Sequence, residues 1–386
     1  MKAVAIAVAL GLGAGTAVAQ PRALAEPSQI REATPPTVEL LTFGMGEVIF
    51  EKFGHAAICL RYVQYDSICF NYGVTDFAGG ASMVWRFLRQ DQEFWVEPSA
   101  YDDLIAFYTE EDRDIWRQTI PLSPAGARNL EAALWDSLRP ERRNYVYDHF
   151  FNNCTTIIRD LIDRATDGRL RAATRKPFAL TYRELGQRGL AEMPALFSLT
   201  DFVLGRQIDD HPSEWAAMFH PDNLRIELAS KLGAEPELIH SRTGPAFPTT
   251  GSSGRLYTFA LALLFTLPLV VARLLRRFER AALSIATLYL AGWGIVLYTL
   301  VAISSIEGVR WNEAVLVLTP FDVVLPFLSR ARRRRYAEVR CVGLAIVSAL
   351  CVIGILHQPL WIPILTAFMP LALIVVVPAF EMLPRR

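Results

Sequence analysis

The chain has 386 residues, 52% apolar and 20% charged, with 39 basic and 39 acidic side chains. From Leu256 onward there are 13 Arg, no Lys and 6 acidic residues, so this part carries seven surplus positives and the rest seven surplus negatives. This pattern excludes a disordered chain, a cytosolic globule and a free nucleic-acid binder, and five Cys in this length make no disulfide scaffold.

Residues 1–19 read as a signal peptide: Lys2 precedes a run rich in Ala and Val, and Ala17-Val18-Ala19 suits a signal peptidase. An uncleaved anchor is the alternative. Either reading puts the chain beyond residue 19 outside the cytoplasm. Residues 20–240 form the expected head. Val38–Phe43, Gly54–Tyr62 and Ile68–Tyr72 read as strands, the last two as a hairpin turning at Asp66-Ser67. His55, Ala57, Cys59 and Arg61 share one face of their strand, as do Cys69 and Asn71 on the next. Cys59 and Cys69 are therefore either a cross-strand disulfide or two core residues. Glu93–Glu97 and Ile115–Ile120 are further strand candidates. Ser99 with Asp102 predicts a capping box for a helix ending near Glu110, and Ser123 with Pro124 opens another ending near Leu138.

The segment Tyr147–Arg164, YDHFFNNCTTIIRDLIDR, carries the chemistry. Asn152 or Asn153 is a good N-cap, which puts Cys154 in the first helical turn. Ile157, Ile158, Leu161, Ile162 and Ala165 come next as an apolar stripe, with Arg159, Asp160, Asp163 and Arg164 as the wet face. A thiol at the positive end of a helix is expected to have a lowered pKa. His55 is the natural base, Asn71 could hold its second ring nitrogen, and first-turn N–H groups could hold an oxyanion. The plainer alternative is a core Cys and a structural His. The residues alone leave both readings open. His211, His220 and His240 have no metal-ligand spacing with any Cys, so neither metal nor cofactor is expected. Trp85, Trp95, Trp116 and Trp135 read as core residues or lipid-surface anchors.

Residues 241–255, rich in Gly, Pro, Ser and Thr, read as a linker. A membrane domain over 256–386 comes after it, with five apolar spans at 256–272, 281–303, 313–329, 341–356 and 359–380. Twelve of the 13 Arg fall on one side of this layout, which predicts a periplasmic head and a cytoplasmic C-terminus at the inner membrane. Asp322, bracketed by Pro320 and Pro326 in the third span, is either a site residue or a structural hydrogen-bonding group.

The stretches LLTFGMGEVIFEKFGHAAICLR, FNYGVTDF and YDHFFNNCTTIIRD resemble the Lnb-type bacterial family, with its FGH, NYG-x-x-DF and YDYF-x-x-NC-[ST]-x-x-x-RD patterns. The later DFVLGRQIDDHPSEWAAMFHPDNL is similar to the region before that family's membrane part. The resemblance implies an α+β permuted papain-like (NlpC-like) periplasmic domain, similar to lecithin:retinol acyltransferases, followed by an α-helical membrane domain of five spans. It implies a lipoprotein N-acyltransferase moving an acyl chain from a membrane phospholipid, through a Cys thioester, to the amine of a diacylglyceryl lipoprotein. Cys154 matches the nucleophile, His55 the base and Asn71 the third polar residue, with Asn153, Tyr72, Asp148 and Asp322 as supporting candidates. His149 replaces the Tyr of the family's DYF and is a rival base. A cysteine hydrolase (phospholipase or cell-wall peptidase) would share the Cys–His pair, and a binding module would need neither.

Overall fold

Thr37–Phe43 (β1), His55–Arg61 (β2) and Ile68–Val74 (β3) are buried on both faces almost throughout, as strands covered by helices on each side must be. The computed structural model describes residues 34–76, 80–250 and 253–376, so the expected signal peptide and the end of the expected fifth span lie outside the described residues. After β3 come α1 (Ala81–Leu88), β4 (Glu93–Ala100), α2 (Tyr101–Glu110), β5 (Ile115–Thr119), α3 (Pro124–Ser137), α4 (Pro140–Arg143) and β6 (Asn144–Val146). The head continues through α5 (Cys154–Ala165), α6 (Arg169–Ala173), α7 (Tyr182–Arg188), α8 (Pro194–Val203), α9 (Glu214–Ala217), α10 (Pro221–Leu232) and β7 (Glu237–His240). The strands form one antiparallel sheet in the order β6-β4-β3-β2-β1-β5-β7. Its two edge strands, of three and four residues, are too short to leave a period in the sequence.

Helices α3, α5 and α10 bury Leu130, Leu134, Ile158, Ile162, Leu224 and Leu228 against Ile58, Leu60, Phe70 and Tyr72 on one face. On the other face α2 covers Leu41, Ala57, Cys59 and Cys69 with Tyr101, Leu104 and Tyr108. Two local expectations change. Ser99 does not cap α2, because β4 runs on to Ala100 and the Ser99 hydroxyl accepts a hydrogen bond from Asn71. Arg159 is not on a wet face: it is buried over the Trp215 ring at 4.1 Å and donates to the Trp215 carbonyl.

Cys59 and Cys69 lie directly opposite in the β2–β3 ladder and form a disulfide. Closing a loop with a sequence separation of 10 stabilises by about 2–3 kcal/mol in the chain-entropy account. Replacing both by Ala should lower stability by about that much, read as an earlier denaturant midpoint in the non-reduced protein.

The helical part is α11 (Ser253–Leu274), α12 (Glu279–Ile303), α13 (Glu307–Arg310), α14 (Arg330–Val352) and α15 (Trp361–Val376). Gly254–Leu274 and Glu279–Ile303 are long and apolar enough to cross a membrane. The expected third span is not a continuous helix. Residues 313–316 and 320–327 are short 3-10 turns: Pro320 opens the second, and Pro326 inside it removes a donor that an α-helix needs. The expected fourth span begins earlier, at Arg330, so the first turns of α14 are crowded with Arg. In α15, 16 described residues reach ~24 Å at 1.5 Å per residue.

Contacts sort the ends of these helices into two levels. Toward the head, Arg206 pairs with Glu313 at 3.3 Å, while α8 reaches farther down and stacks Phe202 on Trp293, midway along α12, at 4.4 Å. Glu313 in turn accepts from the His357 and Gln358 amides, and Arg255 lies over the Trp361 ring at 5.7 Å. At the other level, Glu279 lies 3.4 Å from Arg273 and 3.9 Å from Arg333, and Arg273 donates to the Leu373 carbonyl. The linker is pinned at its start, where Asp112 accepts from the Thr243 and Gly244 amides at 2.7 and 2.8 Å.

Candidate active site

The site begins with the glycine of the FGH stretch. Gly54 has φ +73°, and a Cβ there would lie 2.8 Å from the Phe43 carbonyl oxygen. Only a residue without a side chain turns into β2 this tightly, and the turn sets His55 opposite Phe43. The His55 ring lies 6.0 Å from the Phe43 ring and 6.1 Å from the Tyr108 ring. Behind Tyr108 lies Arg113, 4.7 Å from that ring, 2% exposed, and donating to the Gly44 carbonyl at 2.8 Å. Desolvation first, then the Arg113 charge, hold the His55 pKa down at about 4, while Asn71 works in the other direction.

Asn71 pairs with Ala57, two residues along from His55 and on the same face. Its Nδ2 donates to Ser99 Oγ at 2.8 Å. That leaves Oδ1 buried with no partner at hydrogen-bonding distance, on the imidazole's side of the sheet. The β2–β3 ladder ends at Ala57–Asn71, and the register with β4 shifts between Tyr72 and Val74. Gly73, at φ +93°, occupies this irregularity, and a Cβ there would sit 3.8 Å from Cys154 Cβ.

Cys154 fills the resulting notch at the end of the sheet. Asn153 caps α5 through Oδ1, which accepts from the Thr156 amide at 2.9 Å, while its Nδ2 donates to the His149 and Phe219 carbonyls. The sulfur therefore meets the sheet at a fixed height. It lies 3.6 Å from the Thr155 hydroxyl, and the backbone N–H groups of Ala56, Thr155 and Cys154 itself pull its pKa downward. The Ala56 amide belongs to the peptide that begins at His55. Among the described residues no hydrogen bond joins Sγ to the His55 ring. The imidazole and Asn71 lie on the α2 face, the sulfur comes from the α5 face, and the notch is where the two faces meet.

The expected low thiol pKa is corrected. Burial pushes the Cys154 thiol above its ordinary value and outweighs the N–H groups that pull it down. The resting pair is a neutral thiol and a neutral imidazole.

Residues 28–188 match the family of the Lnb N-terminal periplasmic domain. This part of the chain is similar to Lnb N-terminal periplasmic domains. No curated protein and no solved structure matches the chain. His55, Asn71, Gly73 and Cys154 all lie inside the matched Lnb segment, whereas α10 and β7, which complete the core and the sheet edge, lie beyond it.

Within the Lnb domain the remaining candidates have structural partners. Tyr72 is in the core, its hydroxyl bonded to Ser137 Oγ at 2.9 Å. Asp148 holds the turn before α5 by accepting from the Phe150 and Phe151 amides, and Asn152 closes that turn back to it. The His149 ring is packed edge-on against Phe53 at 4.3 Å and beside Phe150 and Phe219, with its pKa lowered to about 4 by desolvation. Asp322 is far from this chemistry: wholly buried in the helical part, it accepts from Arg340 twice at 3.0 Å and from Tyr336 at 2.9 Å. The two Pro residues that flank it lie in the same 3-10 segment.

Four residues of the Lnb domain escaped the sequence reading. Tyr145 and Tyr147 are two: burial is the main cause of their raised pKa values, and the nearby Cys154 thiol adds to it. Tyr108 and Arg113 back His55. The alternation of Tyr145 and Tyr147 directly before the Cys motif is the one signal that points to them. Among the described residues no three His, Cys, Asp or Glu side chains converge to hold a metal ion.

Arg113 gives a pH prediction. Removing its charge in Arg113→Met should raise the His55 pKa from about 4, so activity that needs neutral imidazole is lost at a higher pH on acidification. The acid limb of Cys154 acylation by a soluble p-nitrophenyl ester measures this, and a limb that stays put or moves down contradicts it.

Proposed function

We propose that this protein is a membrane-bound acyltransferase. It moves an acyl chain from a phospholipid, through a thioester on Cys154, to the amine of the lipidated N-terminal Cys of bacterial lipoproteins. The observation that carries this reading is the sulfur at the start of α5, packed against Gly73 at the end of the strand pair that bears His55 and Asn71. The match to the Lnb domain and the two apolar helices of membrane-crossing length support a membrane protein with a periplasmic head.

In this reading His55 takes the thiol proton as Cys154 Sγ attacks the ester carbonyl of the donor. The N–H groups at the start of α5 stabilise the oxyanion. The ester C–O bond breaks, His55 returns its proton to the departing lysophospholipid, and an acyl-thioester remains. The lipoprotein amine then attacks that thioester, His55 removes the amine proton, and the C–S bond breaks to release N-acylated product and the thiol. Asn71 orients the imidazole. Both substrates are confined to the bilayer, so holding the site at its surface raises their effective concentration. The two levels of helix ends support five crossings, the third made of 3-10 turns, with the Arg-rich loops and the C-terminus cytoplasmic.

The test is intact-mass spectrometry of purified protein in phospholipid vesicles. The expected result is a gain of one acyl chain on Cys154, discharged by a diacylglyceryl lipopeptide that appears N-acylated. Release of free fatty acid with neither adduct nor transfer overturns the reading in favour of a cysteine hydrolase.

A further inference from the structure

Helix α1 has two unlike faces. Inward, Met83 is buried and the Phe87 ring lies 6.4 Å from Phe94 and 6.2 Å from Tyr147. Tyr147 stacks on Phe94 at 4.4 Å and feels the Cys154 thiol. Outward, Val84 and Trp85 are 43% and 49% exposed on a helix of only eight residues. The last residue of α1 settles where this apolar pair sits. The Leu88 carbonyl accepts from the Ser305 amide at 2.9 Å and the Ser304 hydroxyl at 3.1 Å. These two serines come directly after Ile303, where the 25-residue apolar α12 ends.

An apolar helix of that length leaves the hydrocarbon near its last residue, so α1 is tied at the height of the lipid headgroups. Trp361, 48% exposed, begins α15 beside Arg255 near the start of α11, and is a second Trp at the head-facing ends of the membrane helices. Tryptophan favours this layer, where its ring is apolar and its N–H remains wet.

We propose that α1 is an interfacial helix, seated through Val84 and Trp85 in the periplasmic headgroup layer, and that it holds the Cys154 end of the sheet close to the lipids there. The occupant of this face is the bilayer itself. That these lipids donate the acyl chain rests on the acyltransferase reading; the seating does not.

The test uses the full chain in nanodiscs of phosphatidylethanolamine and phosphatidylglycerol, with p-benzoylphenylalanine in place of Val84 and, as a control, of exposed Arg169 beyond the far end of α5. Illumination should give a phospholipid adduct by mass at position 84 and little at position 169. Equal adducts at both, or none at 84, overturn the seating. Because cross-linking needs no catalysis, the same measurement on a Cys154→Ala background separates failure of the seating from failure of the acyl-transfer reading. In addition, Trp85→Glu should slow transfer from bilayer phospholipid about tenfold or more at an unchanged thermal midpoint. An unchanged rate counts against the seating.

Discussion

Cys154→Ser should abolish acyl transfer, with a loss of at least about 1,000-fold, while leaving the fold intact. Serine matches the thiol in size and suits the first turn of a helix. The Asn153 cap that positions α5 does not depend on the sulfur. What disappears is the thioester: a hydroxyl in the same notch ionises far less readily, and an oxygen ester discharges poorly to an amine. The adduct mass should vanish in this variant, and undiminished N-acylation would end the proposal. Burial also makes the wild-type thiol sluggish at rest. Iodoacetamide should label Cys154 slowly at neutral pH and faster as the medium is made alkaline, the reverse of a pre-formed thiolate–imidazolium pair.

The second large effect belongs to His55. His55→Ala should lower the rate of adduct formation by about 100- to 10,000-fold, the range of a lost general base. His55→Gln, which keeps much of the bulk beside Phe43 and Tyr108, should be nearly as slow while more stable than the alanine variant. With its pKa held near 4, His55 remains neutral through the neutral range, so the wild-type rate should not fall between about pH 8 and pH 5 because of this group. His149→Ala is the counter-experiment. If it silences the enzyme while His55→Ala stays within about threefold of wild type, the general base is His149.

How far the sequence reached depends on the range of the forces involved. The cap on α5, the stripe from Ile158 to Ala165 and the hairpin of β2 and β3 rest on neighbours a few residues apart, and these were legible. The thiol pKa was not, because its direction is decided by burial among parts of the chain as distant in sequence as Gly73. Ser99 looks like a cap only until Asn71, 28 residues earlier, claims its hydroxyl. Arg113 and Tyr108 reach His55 from another part of the chain, where no local pattern marks them. In the membrane part, hydropathy averages over residues 313–329 saw apolar content but could not register that Pro320, Asp322 and Pro326 forbid an ordinary helix.

The family match stops at residue 188, yet the sheet does not. Strand β7 closes against β5, and Gln118 reaches the Arg225 and Ala234 carbonyls from within the core. A secreted fragment cut at that limit would expose the backbone of β5 as an adhesive rim and would be prone to clump. If the head is exported as proposed, the sheet likewise stays unfinished until residue 240 has emerged, only a dozen or so positions before α11 begins. In the proposed topology, translocation and completion of the head thus end almost together, and its last seam closes beside the bilayer.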